Sequence, residues 1–447
     1  MNPSETTAEH AKVQPAQLEL GMQFSTDDLW QQIWSQRNLL KALKRVERNK
    51  GAPGIDGMTT DDLRPWFISH WPETKALLDN GHYKPRPVRL VTIPKPGGGT
   101  RNLGVPTVVD RLVQQAILQV LTRIFDPTFS ASSFGFRPKR SAHQAVKAAQ
   151  SYIEDDYRWV IEVDLDKFFD RVHHDVLMAR VARKINDKQV LKLIGRILRA
   201  GIMADGIKQP SAEGTPQGSP LSPLLANIML DDLDKELETR GHRFVRYADD
   251  IRVFVKTKRA AERVLDSVTD VVEQRLKLKV NKQKSKVTTA AKAELLGFGF
   301  WFRKEKVLVR ISIGAKHRLK MRLRDLTKRS WSVSMAYRLR RINLFIRSWM
   351  AYFKLADTNR VFKDLDEWLR RRIRQVFWKQ WKTHSAKRSN LIRLGIKPDQ
   401  ASQWACSVKR YWRIAGSAPL TRSLTIARLN DIGLVSLFDT WTAQRAA

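Results

Sequence analysis

The stretch F-V-R-Y-A-D-D-I-R-V-F-V, Phe244–Val255, sets two adjacent carboxylates, Asp249 and Asp250, in the middle of an apolar run. Phe244, Val245 and Tyr247 lead in, and Ile251, Val253, Phe254 and Val255 lead out. Runs so rich in β-branched and aromatic residues predict strands, and the short polar join between them predicts a tight hairpin. Unpaired charge in an apolar setting is costly. The sequence therefore requires a compensating group at the hairpin tip, either a basic side chain or a bound cation.

The surrounding chain is strongly basic. It has 447 residues, room for two to four domains, and carries a net charge of +36. At 42%, its hydrophobic share supports a packed core. Charge of that size repels itself unless a polyanion is the usual partner. A membrane surface is the other anionic option, but there is no long uncharged apolar segment, and Met1–Glu19 is polar with several acids, unlike a signal peptide. The single cysteine, Cys406, excludes a disulfide framework and a multi-cysteine zinc site. The expectation is an intracellular protein that works on nucleic acid, without a membrane partner. From Trp301 to Ala447 there are 34 Lys and Arg against 9 Asp and Glu, together with nine of the 14 tryptophans. A charge run is often only a solvated face, but basic residues interleaved with aromatics over this length favour RNA or single-stranded DNA.

Working outward from the hairpin, the pattern predicts an α+β body and a helical C-terminal third. Residues 1–24 lack periodicity. A helix is expected from a cap at Ser25 through Leu29, Ile33, Leu39 and Val46, stopping at Asn49-Lys50-Gly51. Arg86–Leu103 predicts two short strands joined by a glycine turn. Helices are expected over Val109–Phe125, Lys192–Met203, Leu224–Leu237 and Ala260–Leu276. Trp159–Asp170 predicts a strand leaving its sheet near Asp166, and Leu295–Phe302 an apolar hairpin. Beyond residue 312, Met335–Phe353 and Phe362–Val376 keep the 3–4 spacing of helix faces. His173-His174 has no spaced partner suggesting a metal site, and is read as the exposed start of a helix.

Asp164 lies inside an apolar strand, as Asp249 and Asp250 lie on their hairpin. One sheet could gather all three. Carboxylates are hard oxygen ligands suited to Mg²⁺ rather than zinc, and two such ions about 3.5–4 Å apart serve phosphoryl transfer. The plain alternative is that Asp249 or Asp250 caps a turn or pairs with an arginine.

Y-A-D-D (Tyr247–Asp250), preceded by the strand ending Asp164–Phe169, resembles the catalytic centre of reverse transcriptases. The resemblance extends to group II intron-encoded proteins of the bacterial type. Asn38–Thr59 resembles their N-terminal extension. Ile93–Arg111, Ser133–Ser141 and Gly214–Asn227 resemble their successive polymerase blocks. Ile342–Phe353 resembles their maturase segment, and Lys409–Ser417 their nucleic-acid-binding tail. The motifs run from about residue 28 to the end, and their combination is far more specific than YxDD alone.

The resemblance implies a right-hand polymerase. Its parts would be an N-terminal extension (1–75), fingers and palm (76–311), a helical thumb or maturase region (312–385) and a basic DNA- and RNA-binding tail (386–447). It implies an RNA-directed DNA polymerase and intron-splicing maturase that uses two Mg²⁺ ions, with Mn²⁺ a possible substitute. Its partners would be group II intron RNA, an RNA template with DNA primer, target DNA and dNTPs, in a bacterial cytoplasm or on the nucleoid. Asp164, Asp249 and Asp250 would hold the metals, and Lys284 would protonate the leaving pyrophosphate. Lys95, Arg101, Gln217, Phe168 and Phe169 would meet the nucleotide, with Phe169 favoured for excluding a 2′-hydroxyl. Arg338, Arg341, Arg347, Arg370, Arg371, Arg374, Lys409 and Arg410 would meet nucleic acid. Two departures stand out. Asp166 replaces a lysine common in the family and could add a carboxylate near the metals. The sequence also carries no Cys/His-rich nuclease segment, so second-strand cleavage by that route is not expected. A splicing cofactor with an idle polymerase, and a domesticated reverse transcriptase of DNA repair or phage defence, remain alternatives.

Overall fold

The computed structural model describes residues 28–94, 99–204, 207–209, 214, 218–304 and 306–446. The expectations for residues 1–24, Ser25, Lys95 and Gln217 lie outside the described residues. The strands are β1 (Val88–Pro94), β2 (Thr100–Val105), β3 (Trp159–Val163), β4 (Ile202–Ala204), β5 (Ile207–Gln209), β6 (Arg243–Tyr247), β7 (Asp250–Val255), β8 (Lys286–Thr289), β9 (Glu294–Leu295), β10 (Phe298–Arg303) and β11 (Lys306–Ile311). They form three sheets, ordered β2-β1-β4-β5, β6-β7-β3-β8 and β11-β10-β9.

The second sheet carries the opening stretch and divides the body. Successive residues of a strand point to opposite faces, and here both faces are covered. Ile161, Val163, Ile251 and Val253 enter one apolar core, and Val160, Val245 and Phe254 enter another. That is why these strands read as nearly unbroken apolar runs rather than clean alternation. The first core is closed by helices Val108–Phe125, Lys188–Leu198, Ser222–Thr239 and Lys258–Asp270 and by the N-terminal helices. The second is closed by helix Ala142–Glu154, the β9–β11 sheet and the helices beyond residue 312.

Several elements differ from their sequence reading for identifiable reasons. The first long helix is two, Leu29–Trp34 and Gln36–Asn49, broken at Ser35, which has an extended ψ of 141°. Asn38 stitches the break, donating from Nδ2 to the carbonyls of Ile33 (2.8 Å) and Ala116 (3.0 Å). The helix expected to reach Met203 ends at Leu198. Gly201 follows at φ +83°, and Ile202 and Met203 join the edge of β1 in parallel. Pairing with a distant strand outweighs the local helical pattern there. Helix Lys258–Asp270 loosens into a wide turn over Val271–Arg275 rather than running on to Leu276. Among the described residues no strand follows Ile311. Met335–Phe353 buries Leu339, Ile342, Ile346 and Phe353, and Asn359–Gln380 buries Phe362, Leu365, Leu369, Ile373 and Val376, as their spacing predicts. No helix among the described residues is long and apolar enough to cross a membrane.

Candidate active site

Tyr247 pairs with Asp250 across the hairpin, leaving Ala248 and Asp249 as a two-residue turn. Ala248 takes φ +58°, the left-handed conformation that tight hairpin turns require. Directly beneath lies Arg246, fully buried. Its guanidinium donates from Nε to Asp234 Oδ1 at 2.7 Å and from NH2 to Oδ2 at 2.5 Å. NH1 donates to Asn227 Oδ1 at 2.8 Å and to the Ala248 carbonyl at 3.1 Å. One strand residue thus anchors the turn from below. A second wall comes from Ser133–Ser141: the Phe134 amide donates to the Arg246 carbonyl at 2.8 Å, and Asn227 Nδ2 donates to the Gly135 carbonyl at 2.9 Å. A Cβ on Gly135 would lie 2.2 Å from the Ala248 nitrogen. Glycine is required at 135 because the turn backbone presses directly on it.

Asp164 follows β3, where the chain leaves the sheet, slightly before the expected Asp166. Its amide donates to Ser285 Oγ at 3.0 Å, and its carbonyl accepts from the Asn281 amide at 2.8 Å. The Asn281–Lys286 segment is thereby strapped beside it, with Lys284 Nζ 4.0 Å from Asp164 Oδ1. Asp164, Asp249, Asp250, Glu162, Arg252 and Lys284 line one cleft of about 570 Å³.

The two hairpin carboxylates sit differently. Burial pushes the Asp249 carboxyl up; its own backbone amide and the charge of Arg101 pull it down, and Asp164 pushes it up. Burial also pushes Asp250 up, opposed by Arg252 and reinforced by Asp249 and Glu162. Arg252 NH1 pairs directly with the Asp250 carboxylate. Both groups sit above the ordinary carboxylate value, chiefly through burial, and the cleft sets four carboxylates against the three cations Arg252, Lys284 and Lys286. Among the described residues, no three Asp, Glu, His or Cys side chains close around a common point tightly enough to enclose an ion. What the cleft offers is a one-sided wall of hard oxygen donors short of cation, which fits a divalent ion such as Mg²⁺ better than a soft metal.

Other predicted residues sort by burial. Arg101 is exposed on β2, with its charge felt at Asp249. Phe168 is buried in the core while Phe169 is half-buried against it, their rings edge-to-face at 5.0 Å. Only Phe169 is presented outward. Asp166 pairs with Arg171 at 2.9 Å and does not line the cleft. Arg341, Arg347, Lys409 and Arg410 are exposed. Arg370 is half-buried, and Arg371 stacks on Trp412 at 4.2 Å and donates to its carbonyl.

Two expected nucleic-acid contacts need correction. Arg338 is wholly buried, donating to the carbonyls of Leu326, Lys328 and Trp331, the loose end of helix Ile313–Leu326 and the turn after it. Arg374 is buried and donates to the Leu424 carbonyl at 2.9 Å. Both are turned inward by the segment that covers them, the end of helix Ile313–Leu326 for Arg338 and the chain at Leu424 for Arg374. His174 also differs from its reading: it starts helix His174–Ala182 but is buried, its Nε2 donating to the Gly214 carbonyl at 2.6 Å.

A second cavity, about 1540 Å³, lies between helix Gln36–Asn49, the β1–β2 hairpin and helix Val108–Phe125. Lys41, Lys44, Arg45, Arg48, Arg89 and Arg123 line it. Arg89 Nε and Gln119 Oε1, also on its wall, are buried without partners among the described residues. This basic wall went unread in the sequence, although Lys41, Lys44, Arg45 and Arg48 stand at i, i+3, i+4 and i+7 of one helix face.

Comparison with known proteins gives families for two stretches of the chain. Residues 93–300 match the family described as "Reverse transcriptase (RNA-dependent DNA polymerase)", and residues 316–395 match "Group II intron, maturase-specific domain". Protein YkfC of Escherichia coli (strain K12) is 35% identical over 289 residues, 56% of this chain and 76% of that protein. Group II intron-encoded protein LtrA of Lactococcus lactis subsp. cremoris is 37% identical over 195 residues, 43% of this chain but 32% of LtrA. The chain thus spans about a third of LtrA's length. The solved structure titled "Partial Cas6-RT-Cas1--Cas2 complex" is 28% identical, covering 54% of this chain and 42% of that one, with a TM-score of 0.35. The matched families imply a divalent metal ion and nucleic acid, RNA included, as partners.

Proposed function

The chain belongs to the group II intron-encoded reverse transcriptases and maturases, and from that premise we propose that it copies intron RNA into DNA at the cleft of Asp164, Asp249 and Asp250 and assists splicing of the same RNA. The observation that carries the reading is the cleft itself: Asp164, just past β3, and Asp249 and Asp250 of the β6–β7 hairpin line one hollow. Asp164, Asp249 and Asp250 would hold two Mg²⁺ ions, with Mn²⁺ a workable substitute. Bound there, the ions supply charge stabilisation for the attacking and leaving oxygens of nucleotidyl transfer.

The chain's residues do the rest. Arg246 and Gly135 fix the height of the Asp249 turn. Lys284, two-thirds exposed and 4.0 Å from Asp164, can deliver a proton to departing pyrophosphate. Arg101 supplies positive charge for the triphosphate, alongside Lys95, and Gln217 touches nucleotide and template near the newly formed pair. Phe169 supports the sugar and blocks a 2′-hydroxyl by bulk. The large basic cavity beside helix Gln36–Asn49 suits the phosphates of the template strand. Residues 1–75 would serve as the extension, 76–311 as fingers and palm, 312–385 as thumb, and 386–447 as the tail that meets intron RNA and target DNA. This is work for a bacterial cytoplasm and its nucleoid.

The test is primer extension on an RNA template with a DNA primer. Wild type is expected to extend in Mg²⁺ or Mn²⁺. Asp249→Ala, losing a ligand worth several kcal/mol in the transition state, is expected to fall by at least about a thousandfold. RNA affinity by filter binding should stay within about threefold. The same variant should still promote splicing of the cognate intron RNA. Near-normal DNA synthesis by Asp249→Ala overturns the site. Splicing that falls in proportion to synthesis overturns the division of labour.

A further inference from the structure

Arg252 lies two residues beyond Asp250 on β7, hence on the same face of the strand, and is opposite Glu162 of β3. Its side chain is largely buried and reaches in three directions. NH1 pairs with the Asp250 carboxylate, NH2 lies 4.0 Å from Glu162 Oε2, and Nε donates to the carbonyl of Glu294 at 3.2 Å. The Glu294 amide returns to Glu162 Oε1 at 3.3 Å. Glu294 begins β9, in a different sheet from Asp250. Arg252 is therefore a tie between the catalytic hairpin and its neighbour.

The tie continues. Two residues past Glu294, Leu296 and Gly297 turn into β10 with φ +53° and +84°. The Leu296 carbonyl accepts from Tyr352 Oη at 2.8 Å, and a Cβ on Gly297 would lie 3.3 Å from the Phe353 ring. Tyr352 and Phe353 end helix Met335–Phe353. The Tyr352 carbonyl in turn accepts from His143 Nε2 at 2.5 Å, and His143 begins helix Ala142–Glu154 of the body. A line of contacts runs from Asp250 through Arg252, Glu294 and Leu296 to the end of helix Met335–Phe353.

We propose that Arg252 is a positioning residue which couples that helix to the catalytic hairpin, so that the seat of the Asp250 carboxylate follows where Tyr352 holds the Leu296 turn. The proposal rests on the reading of Asp250 as part of the active site. Arg252 holds the carboxylate in the free protein, and the neighbouring turn fixes Arg252. Nucleic acid drawn against the Met335–Phe353 helix would shift the turn, and with it the point at which Asp250 is released toward an arriving ion. Coupling through such packed, hydrogen-bonded elements is worth on the order of tenfold.

The test uses the full chain with Arg252→Gln, Tyr352→Phe and the double variant. Mn²⁺ binding, followed by electron paramagnetic resonance without nucleic acid, should tighten about tenfold in Arg252→Gln, which frees a carboxylate and removes a positive charge, and shift in the same direction but by less in Tyr352→Phe, which only loosens the turn that fixes Arg252. In primer extension, kcat should fall about tenfold in either single variant, with nucleotide KM and template–primer affinity within about twofold. The double variant should be no slower than the slower single, because the links lie in series. Unchanged or weakened Mn²⁺ binding in Arg252→Gln, or losses that multiply in the double variant, overturns the proposal. If Arg252→Gln loses its fold by circular dichroism, Tyr352→Phe alone decides: the tenfold loss in kcat supports the coupling and wild-type kcat refutes it. A wild type that extends no primer would count against the enzymatic reading, whereas the Mn²⁺ comparison needs no polymerisation and separates the two failures.

Discussion

Arg246 shows how one residue can matter more to the site than the residues that face it. It is fully buried, and its partner Asp234 is pushed up by burial and pulled back by Arg246 itself. Breaking a buried pair from one side leaves an uncompensated charge, at about 3–5 kcal/mol. Arg246→Met should therefore lower the free energy of unfolding by about that amount in urea titration. Pairing it with Asp234→Leu should recover most of the loss, since a buried ion pair is often replaceable by apolar side chains. Activity should not return, because Asn227 and the Ala248 carbonyl keep no donor and the turn above them is freed. Gly135 gives the complementary case. Gly135→Ala must displace the turn, since its Cβ would stand 2.2 Å from the Ala248 nitrogen. A misplacement near 1 Å costs on the order of 100-fold in rate, whereas overpacking costs about 1–3 kcal/mol in stability. The expected outcome is a variant that folds and binds RNA yet extends primers about a hundredfold more slowly. Wild-type extension would show that the turn's height is immaterial.

Among the elements, the helices beyond residue 312 divide their arginines between two tasks. Arg338 and Arg374 hold carbonyls in the interior; Arg341 and Arg347 face outward. Arg338→Ala and Arg374→Ala should each lower the thermal midpoint, because buried carbonyls lose their donors at about 1–3 kcal/mol per group. Arg341→Gln with Arg347→Gln should leave the midpoint alone and flatten the salt dependence of RNA affinity by about 0.7–0.9 for each phosphate left without its cation. A salt titration beside a melting curve separates the two classes, and a flattened slope in Arg374→Ala would contradict this division. The sequence made the helices themselves legible, since Leu339, Ile342 and Ile346 repeat at helical spacing. It also made the β6–β7 hairpin legible, since apolar strands flank a two-residue join. It did not distinguish an arginine on the apolar stripe from one beside it: Arg338 directly precedes the stripe residue Leu339, and only packing against the end of helix Ile313–Leu326 decides its direction. Nor could it foresee β4, because Ile202 and Met203 become a strand only through Val88, more than a hundred residues upstream. The three aspartates were legible because carboxylates are conspicuous in apolar runs. The wall of Gly135 and Arg246 was not, because its meaning lies in contacts between distant blocks.

At the scale of the whole molecule, the body holds two hollows of opposite character: the acidic cleft and the large basic cavity. If the template's phosphates lie in the latter, replacing Lys41, Lys44, Arg45 and Arg48 with Gln should weaken template–primer binding. The log–log salt slope should fall by about 0.7–0.9 for each phosphate no longer neutralised, with helix content unchanged by circular dichroism. An unchanged slope would remove the cavity from the template's path. The catalytic sheet separates two cores while taking its strands from far apart in the chain: β3 is central, flanked by β7 about ninety residues later and by β8 beyond that. Such non-local pairing is slow to form. During synthesis, the basic helix Gln36–Asn49 leaves the ribosome early, while Asp164 has no neighbouring strand until residues 250–289 have followed it. The helix that lines the basic cavity is thus made well before the three aspartates can meet, and the cleft is completed only once residues 250–289 have emerged.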